Sequence, residues 1–507
     1  MVLGSDTVDS LQARLGPALS ANRQGSTTDH VLVVLPSYSV SESILSHYGD
    51  RVASLEHRYL NALLISARIP ACEIVYVSTR RPGDEILDYY TSIMREDMQE
   101  AARFHLFDVD DGTSRSVASR LADDPAKLDA IRALVRGRPA LIEAWNVTDN
   151  EMQLALALGI PVNGTRPELR RLGFKSEGRR LFREAGVPVP VGVEDVRTID
   201  DVVAAIREIR ARRPSVEAVV IKHDDSGAGD GNQVVDLRPM REVANPRMWL
   251  RSTLETLPEW YLADLRAGGI VEERISGRRF SSPSAQFDIR PDGSVQVLAT
   301  HEQVLGGPDG QVYLGCTFPA SPAYAPELAR HAQAVGEQLA RAGALGRVAV
   351  DFVAATDDDD TWHLYAIEVN LRKGGTTHPY CAMRNLIPGR YVADPGAWIA
   401  SEDGSTRCYA ATDNLVDPRW LGLPPARVLD AVRAAGLMFT HETHTGAVLH
   451  MLTGLAIDGR LGMTAIGRTV DEAAAIQRGV ELVMDTLCGA IPPSAATGGT
   501  PTPAGPT

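Results

Sequence analysis

Cysteine is scarce. Cys72, Cys316, Cys381, Cys408 and Cys488 are the only five in 507 residues. They are scattered, odd in number and form no C-x-x-C, which argues against a zinc ribbon or a disulfide framework and for reduced thiols. No apolar run is long enough to cross a bilayer, so no membrane partner is expected. The opening stretch, MVLGSDTVDSLQARLG, has neither a basic start nor an apolar segment behind it. No signal peptide is therefore expected, and a cytoplasmic location is. Positive charge is also short: the formal net charge is −14. That argues against a nucleic-acid partner, whose phosphates demand clustered Lys and Arg. It leaves room for ATP, which needs only a local cationic pocket.

Several catalytic signatures are missing. No G-x-G-x-x-G follows the first strand, and no G-K-[ST] follows the glycine-rich stretch near residue 230. There is no G-x-S-x-G and no Cys–His signature. The H-E-T-H at 441–444 lacks the i, i+4 spacing of a helical zinc motif, so His441 and His444 read as a structural or substrate-facing polar cluster. Asp108, Asp110 and Asp111 do not have EF-hand spacing and read as a solvated turn. No internal repeat is evident.

What is present is an ordinary globular composition, 44% apolar and 23% charged. The length implies three or more domains. Residues 1–28 read as an N-terminal extension with one helix over 6–18. Strands are expected at 30–36, 73–78, 104–109 and 141–145. Helical patterning fills 45–65, 124–136 and 149–158. Alternating strands and helices imply an α/β unit with a parallel sheet over 29–165. Residues 175–185 form an amphipathic helix stopped by Gly186 and a Val-Pro-Val-Pro step. A helix over 198–212 and a strand at 218–221 ending in Lys222 lead to HDDSGAGDGN, where Gly227, Gly229 and Gly231 permit a tight backbone able to offer N–H groups to phosphates. A strand edge follows at 269–276, then a hairpin over 284–289 and 295–300, and a long helix over 327–343.

The richest stretch is RVAVDFVAATDDDDTWHLYAIEVNLRKGGTTHP, residues 347–379. Apolar runs at 348–354 and 362–369 flank an acidic turn, which reads as a β-hairpin. Glu368 and Asn370 are two apart and leave one face of an extended strand; Asp351 on the paired strand can join them. Two carboxylates and an amide make a hard-oxygen set suited to Mg²⁺. Arg372 and Lys373 follow at once. Acidic metal ligands beside fixed cations suit phosphoryl transfer.

EVNLRKGGTTHP resembles the metal-binding strand and following loop of the ATP-grasp ligases, and the full wording with the 409–467 segment looks most like the pheganomycin-type peptide ligases. The resemblance implies an α/β and α+β multidomain chain: a pre-ATP-grasp domain over 29–165, an ATP-grasp domain over 166–400, an appended α+β domain over 401–490 and a disordered low-complexity tail from 491 to 507. It assigns ATP-phosphate contacts to Lys175 and Lys222 and a lid to the glycine loop. It assigns adenine docking to Glu272, with Glu273 and the backbone near Arg274 and Ile275 beside it. Where the family often has a ribose-binding carboxylate this chain has Arg278 and Arg279, so ribose contacts stay unassigned and Arg279 is a candidate for a substrate anion. Arg372, with Lys373, is expected to hold the carboxylate and its oxyanion. Gly375, Thr376 and His378 are further candidate substrate contacts.

The implied activity is ATP- and Mg²⁺-dependent ligation of a carboxylate to an amine through an acylphosphate, joining an amino acid, proteinogenic or not, to the N-terminus of a peptide in natural-product biosynthesis. A homodimer is a further expectation. The rivals are an ATP-grasp ligase for another nucleophile, such as a thiol or ammonia, and a non-catalytic ATP-binding module.

Overall fold

A computed structural model describes residues 5–36, 38–99, 103–226, 231–307, 312–357 and 359–489. Three sheets organise it. The first is parallel, in the spatial order Arg103–Asp108, Cys72–Ser78, His30–Leu35, Ala140–Ala144. HVLVVL and CEIVYVS are buried at every position, as strands covered on both faces must be. The helix Asp149–Leu158 behind them opens with a reciprocal capping box between Thr148 and Glu151 and stops at Gly159, whose φ of 70° needs no Cβ.

The second sheet has four antiparallel strands, Gly192–Val193, Gly269–Glu273, Ala218–His223 and Asn232–Asp236. The third is long. Trp362–Asn370 pairs with Gly346–Thr356, which pairs with Pro283–Ile289; then follow Val295–Gly306, Val312–Phe318 and Thr406–Val416. The helix Ala325–Arg341 lays Leu328, Ala332, Val335 and Leu339 on Phe287, Val348 and Val350, an i, i+3/i+4 stripe filling the sheet's pleat.

Two local expectations differ in the structure. The stretch read as one helix over 6–18 is two, Ser5–Gln12 and Leu15–Ala21. The pattern over 45–65 is broken into Glu42–Tyr48, Arg51–His57, a 3₁₀ turn Leu60–Leu64 and Ile65–Arg68; the first break falls at Gly49. The segment after 400 does not stand apart from the sheet before it. Thr406–Val416 hydrogen-bonds directly to Val312–Phe318, and Arg460–Gly467 and Gly446–His450 continue the same sheet. One apolar core runs from Leu15, Tyr59 and Leu63 of the N-terminal segment to Tyr409, Val428 and Met463 of the C-terminal one. The 491–507 tail lies outside the described residues. No helix among the described residues is long and apolar enough to cross a membrane.

Candidate active site

The hairpin delivers its polar ends to one cavity of about 480 Å³. Asp351 is directly opposite Glu368 in the antiparallel register, and a bulge follows between Asp351 and Phe352. Asn370 Nδ2 donates to Asp351 Oδ2 at 2.9 Å. Gln303, from the Val295–Gly306 strand, donates to Asp351 Oδ1 at 2.6 Å. All four residues line the cavity. Burial, and then the Glu368 charge, push the Asp351 carboxyl up to about 7, against the pull of Gln303 and Arg372. Two carboxylates crowded in a buried place repel one another, and a divalent cation with oxygen preference relieves that field. The donor set therefore fits Mg²⁺.

Lys175 and Lys222 come to this region from different elements. Lys175 sits on the buried face of the helix Lys175–Glu184. Its Nζ donates to the Ser226 carbonyl at 2.6 Å and lies 3.4 Å from Glu368 Oε1. Lys222 lines the cavity and pairs with Glu272 Oε1 at 2.6 Å. Glu272 Oε2 is held by Arg179 Nη1 at 2.6 Å. The Glu272 carboxylate, expected to accept from adenine, is thus already committed to two buried cations, so it serves as their anchor. Glu273 is likewise engaged: Oε1 accepts from Val191 N–H at 2.8 Å, and Oε1 and Oε2 both accept from Arg213 Nη1, at 2.9 and 2.8 Å. What the strand end offers a planar base is backbone at Ile275 on the cavity wall.

Arg372 lines the cavity, and its Nη1 donates to the Lys373 carbonyl at 2.9 Å. Gly375 lies where any Cβ would come within 2.5 Å of the Tyr313 ring. Gly375 and Thr376 complete the wall, the Thr376 carbonyl accepting from Gln286 Nε2 at 3.1 Å.

Other expected residues are not brought together with these. Lys373 turns into the N-terminal unit, 2.7 Å from Glu143 Oε1 and bonded to the Ala144 carbonyl. It is 2% exposed and docks one unit on another instead of facing the cavity. His378 is buried on the helix Thr377–Leu386, 2.8 Å from Asp413 Oδ1, and is not a wall residue. Arg279 is exposed, reaching Asp360 at the hairpin tip and lying over Trp362, as Arg278 also reaches Asp360. Gly231 holds φ +79° with its carbonyl accepting from Tyr261 Oη at 3.0 Å. Gly227 and Gly229 lie outside the described residues. His441 Nε2 donates to the Ile93 carbonyl at 2.9 Å, with its ring 6.2 Å from that of His444, and is a packing contact.

Comparison with known proteins bears on the fold and the family. The family model described as "IQCH-like, ATP-grasp" matches residues 250–376, and "PGM1 C-terminal domain" matches 427–480. The chain has the ATP-grasp fold. Among ATP-grasp folds it is similar to a biotin carboxylase from Campylobacter jejuni, with a TM-score of 0.55, 13% identity and coverage of 92% of this chain and 96% of that one. It also resembles N5-carboxyaminoimidazole ribonucleotide synthetase in its ADP complex, with a TM-score of 0.51, 13% identity and coverage of 90% and 97%. A curated relative, the L-propargylglycine–L-glutamate ligase of Streptantibioticus cattleyicolor, is 29% identical over 86% of this chain and 92% of its own. The IQ motif-containing protein H of Danio rerio is 25% identical over 59% of this chain, which spans only 33% of that relative.

Sequence reasoning missed Arg179, Gln303, Tyr38, Arg58, Tyr313 and Asp413. Only Arg179 left a signal. It stands four residues after Lys175, one helical turn along the same buried face.

Proposed function

We propose that the protein is an ATP-dependent carboxylate–amine ligase that forms a peptide bond through an acylphosphate. The observation that carries this reading is the meeting, in one cavity, of the Asp351–Glu368–Asn370 oxygen set with Arg372 and Lys222. Asp351, Glu368 and Asn370 would hold Mg²⁺, which when bound neutralises phosphate charge. Lys222, fixed by Glu272, and Lys175, fixed by Ser226 and Glu368, would supply positive charge to the phosphates. The N–H groups of Glu273 and Arg274 are bonded to the Val191 and Ala218 carbonyls, so the backbone at Ile275 is where the base would be received.

Arg372 holds the reacting carboxylate. Its planar fork matches two oxygens at once. One carboxylate oxygen bonds to the γ-phosphorus of ATP as the bond to ADP breaks. The amine nitrogen then bonds to the acyl carbon, phosphate leaves, and the nitrogen gives up a proton. Arg372 stays in place to receive the negative charge that develops on the acyl oxygen. No side-chain nucleophile is required.

The relative that joins L-propargylglycine and L-glutamate supports amino acids as both partners. A peptide as amine and a biosynthetic role in small-molecule production follow the same resemblance. The test is ADP release by the purified protein with Mg²⁺, scanned over L-amino acids singly and in pairs. Release that needs an acid and rises with a second amino acid, with a dipeptide found by mass spectrometry, is the expected result. Nucleotide binding with no acid-dependent release would favour a binding module.

A further inference from the structure

One part of the cavity wall is built by residues remote from the nucleotide-facing strands. Tyr38 and Arg58 come from the N-terminal segment, and Tyr313 from Val312–Phe318. These are contiguous with the Arg372 turn. Asn414 Nδ2 donates to the Tyr313 carbonyl at 3.1 Å, the Tyr313 ring lies against Gly375, and Arg372 Nη1 lies beside Gly374.

Arg58 is a buried cation in an aromatic frame. It is 6% exposed, with its guanidinium carbon 4.3 Å from the Trp145 ring centre and 5.6 Å from that of Tyr38. Nη1 donates to Asp413 Oδ2 at 3.0 Å and Nη2 to Tyr38 Oη at 2.8 Å. Nε is buried and has no hydrogen-bond partner among the described residues. Tyr38 Oη accepts from Arg58, so its own proton is left to donate. A wall lined by a guanidinium and by a phenolic O–H with its proton free suits an anion.

Behind Arg58, Asp413 is shared. His450 Nε2 bonds Asp413 Oδ1 at 2.8 Å, and His378 Nε2 lies 2.8 Å from the same oxygen but off a hydrogen-bond line. His378, Asp413 and His450 are the kinds of group that hold a metal. Arg58 already supplies the cation to this carboxylate, and the cluster reads as the socket that fixes Arg58.

We propose that Arg58, with Tyr38, binds a carboxylate that survives the reaction: the free carboxylate of the amino acid or peptide that supplies the amine. Arg372 stands beside the metal-type carboxylates and takes the carboxylate that is consumed; Arg58 is rooted in a different unit and lines the same cavity without them. This rests on the ligase reading and deepens it. It makes Arg58 a specificity determinant, so that the amine substrate is an amino acid or peptide and simple amines are refused.

The test compares each active L-amino acid amine with its own carboxamide, in the parent protein and in Arg58→Gln, Arg58→Lys and Tyr38→Phe. The parent is expected to prefer the free acid by kcat/KM on the order of 10²-fold, the size of a lost charge partner. Arg58→Gln should bring acid and amide within a few-fold of one another through KM, with nucleotide affinity unchanged, and Arg58→Lys should restore part of the preference. Tyr38→Phe, a milder change, should lower the preference several-fold and keeps the test alive if Arg58→Gln does not fold. Equal use of acid and amide by the parent, or an equal loss on both in the variants, overturns the role of Arg58 while acid-dependent ADP release leaves the ligase standing. Absence of acid-dependent ADP release overturns both.

Discussion

Arg372 and Lys222 carry the same charge and do different work. Lysine is a compact point charge, and Lys222 is aimed by a single carboxylate, Glu272, at 2.6 Å. Arginine offers a planar fork. Arg372→Lys should therefore leave ATP·Mg²⁺ affinity near the parental value, by calorimetry, while amide formation falls by ~10²–10³, the usual loss for a donor at a developing oxyanion. A variant that fails chiefly by losing ATP would contradict this division. Glu368→Gln removes one of two facing carboxylates. It should abolish turnover and keep the parental melting temperature within a few degrees, since Glu368 is a half-buried strand-end residue rather than a core one. Full activity in the soluble variant would reject the metal assignment.

At the scale of elements, the helix Lys175–Glu184 ties the nucleotide-facing strand to the rest of the site. Arg179 binds Glu194 Oε1 at 2.7 Å, Glu272 Oε2 at 2.6 Å and the Pro190 carbonyl at 2.8 Å, and its side chain is 2% exposed. Arg179→Ala would remove a buried cation shared by two carboxylates, leaving Glu272 to Lys222 and Glu194 to Arg183, and should cost about 1–3 kcal/mol. Thermal unfolding should show it as a loss of that size, along with weaker ATP binding because Glu272, which aims Lys222, loses its second cation. A loss below about 1 kcal/mol would mean water enters freely and the network is not what holds the strand. Elements with strong local signals were legible in the sequence: the hairpin, the helix ending at Gly186, the capped helix Asp149–Leu158. The direction of side chains after a turn was not. Lys373 and His378 sit within ten residues of Glu368, yet the turn at Gly374 and the helix Thr377–Leu386 send them into packed interfaces. Adjacency in sequence says nothing of which way a buried helix faces.

At the scale of the molecule, the N-terminal and C-terminal segments share a core, and that joint was hidden because it is made by contacts hundreds of residues apart. His57 Nδ1 meets Thr453 Oγ1 at 2.6 Å, Tyr89 Oη accepts from Leu449 N–H at 2.8 Å, and Asn61 donates to the His378 carbonyl at 2.9 Å. No periodicity reports such pairs, which is why 401–490 reads as an appendage in sequence and continues the sheet in space. Glu56 lies in this joint, 1% exposed, accepting from Thr79 N–H at 2.6 Å and from Thr79 Oγ1 at 2.9 Å. Burial pushes its carboxyl up to about 7 from 4.5, against the Thr79 bonds and Arg120. Between those two values the folded state holds the proton more firmly than the unfolded chain. Its contribution to stability therefore falls as pH rises through that window and is gone above about 7. Glu56→Gln has no such proton to lose, so its melting temperature should decline less than the parent's between about pH 5 and 7. Parallel decline in both proteins would place the Glu56 titration elsewhere.

The central claim is that the carboxylate is activated by phosphoryl transfer before the amine attacks. The most direct measurement uses an acid substrate labelled with ¹⁸O in its carboxylate, with ATP, Mg²⁺ and the amine, and mass analysis of the products. The account predicts ADP together with inorganic phosphate that carries one ¹⁸O per amide formed. Amide formed with unlabelled phosphate, or with label in AMP and release of pyrophosphate, would contradict it.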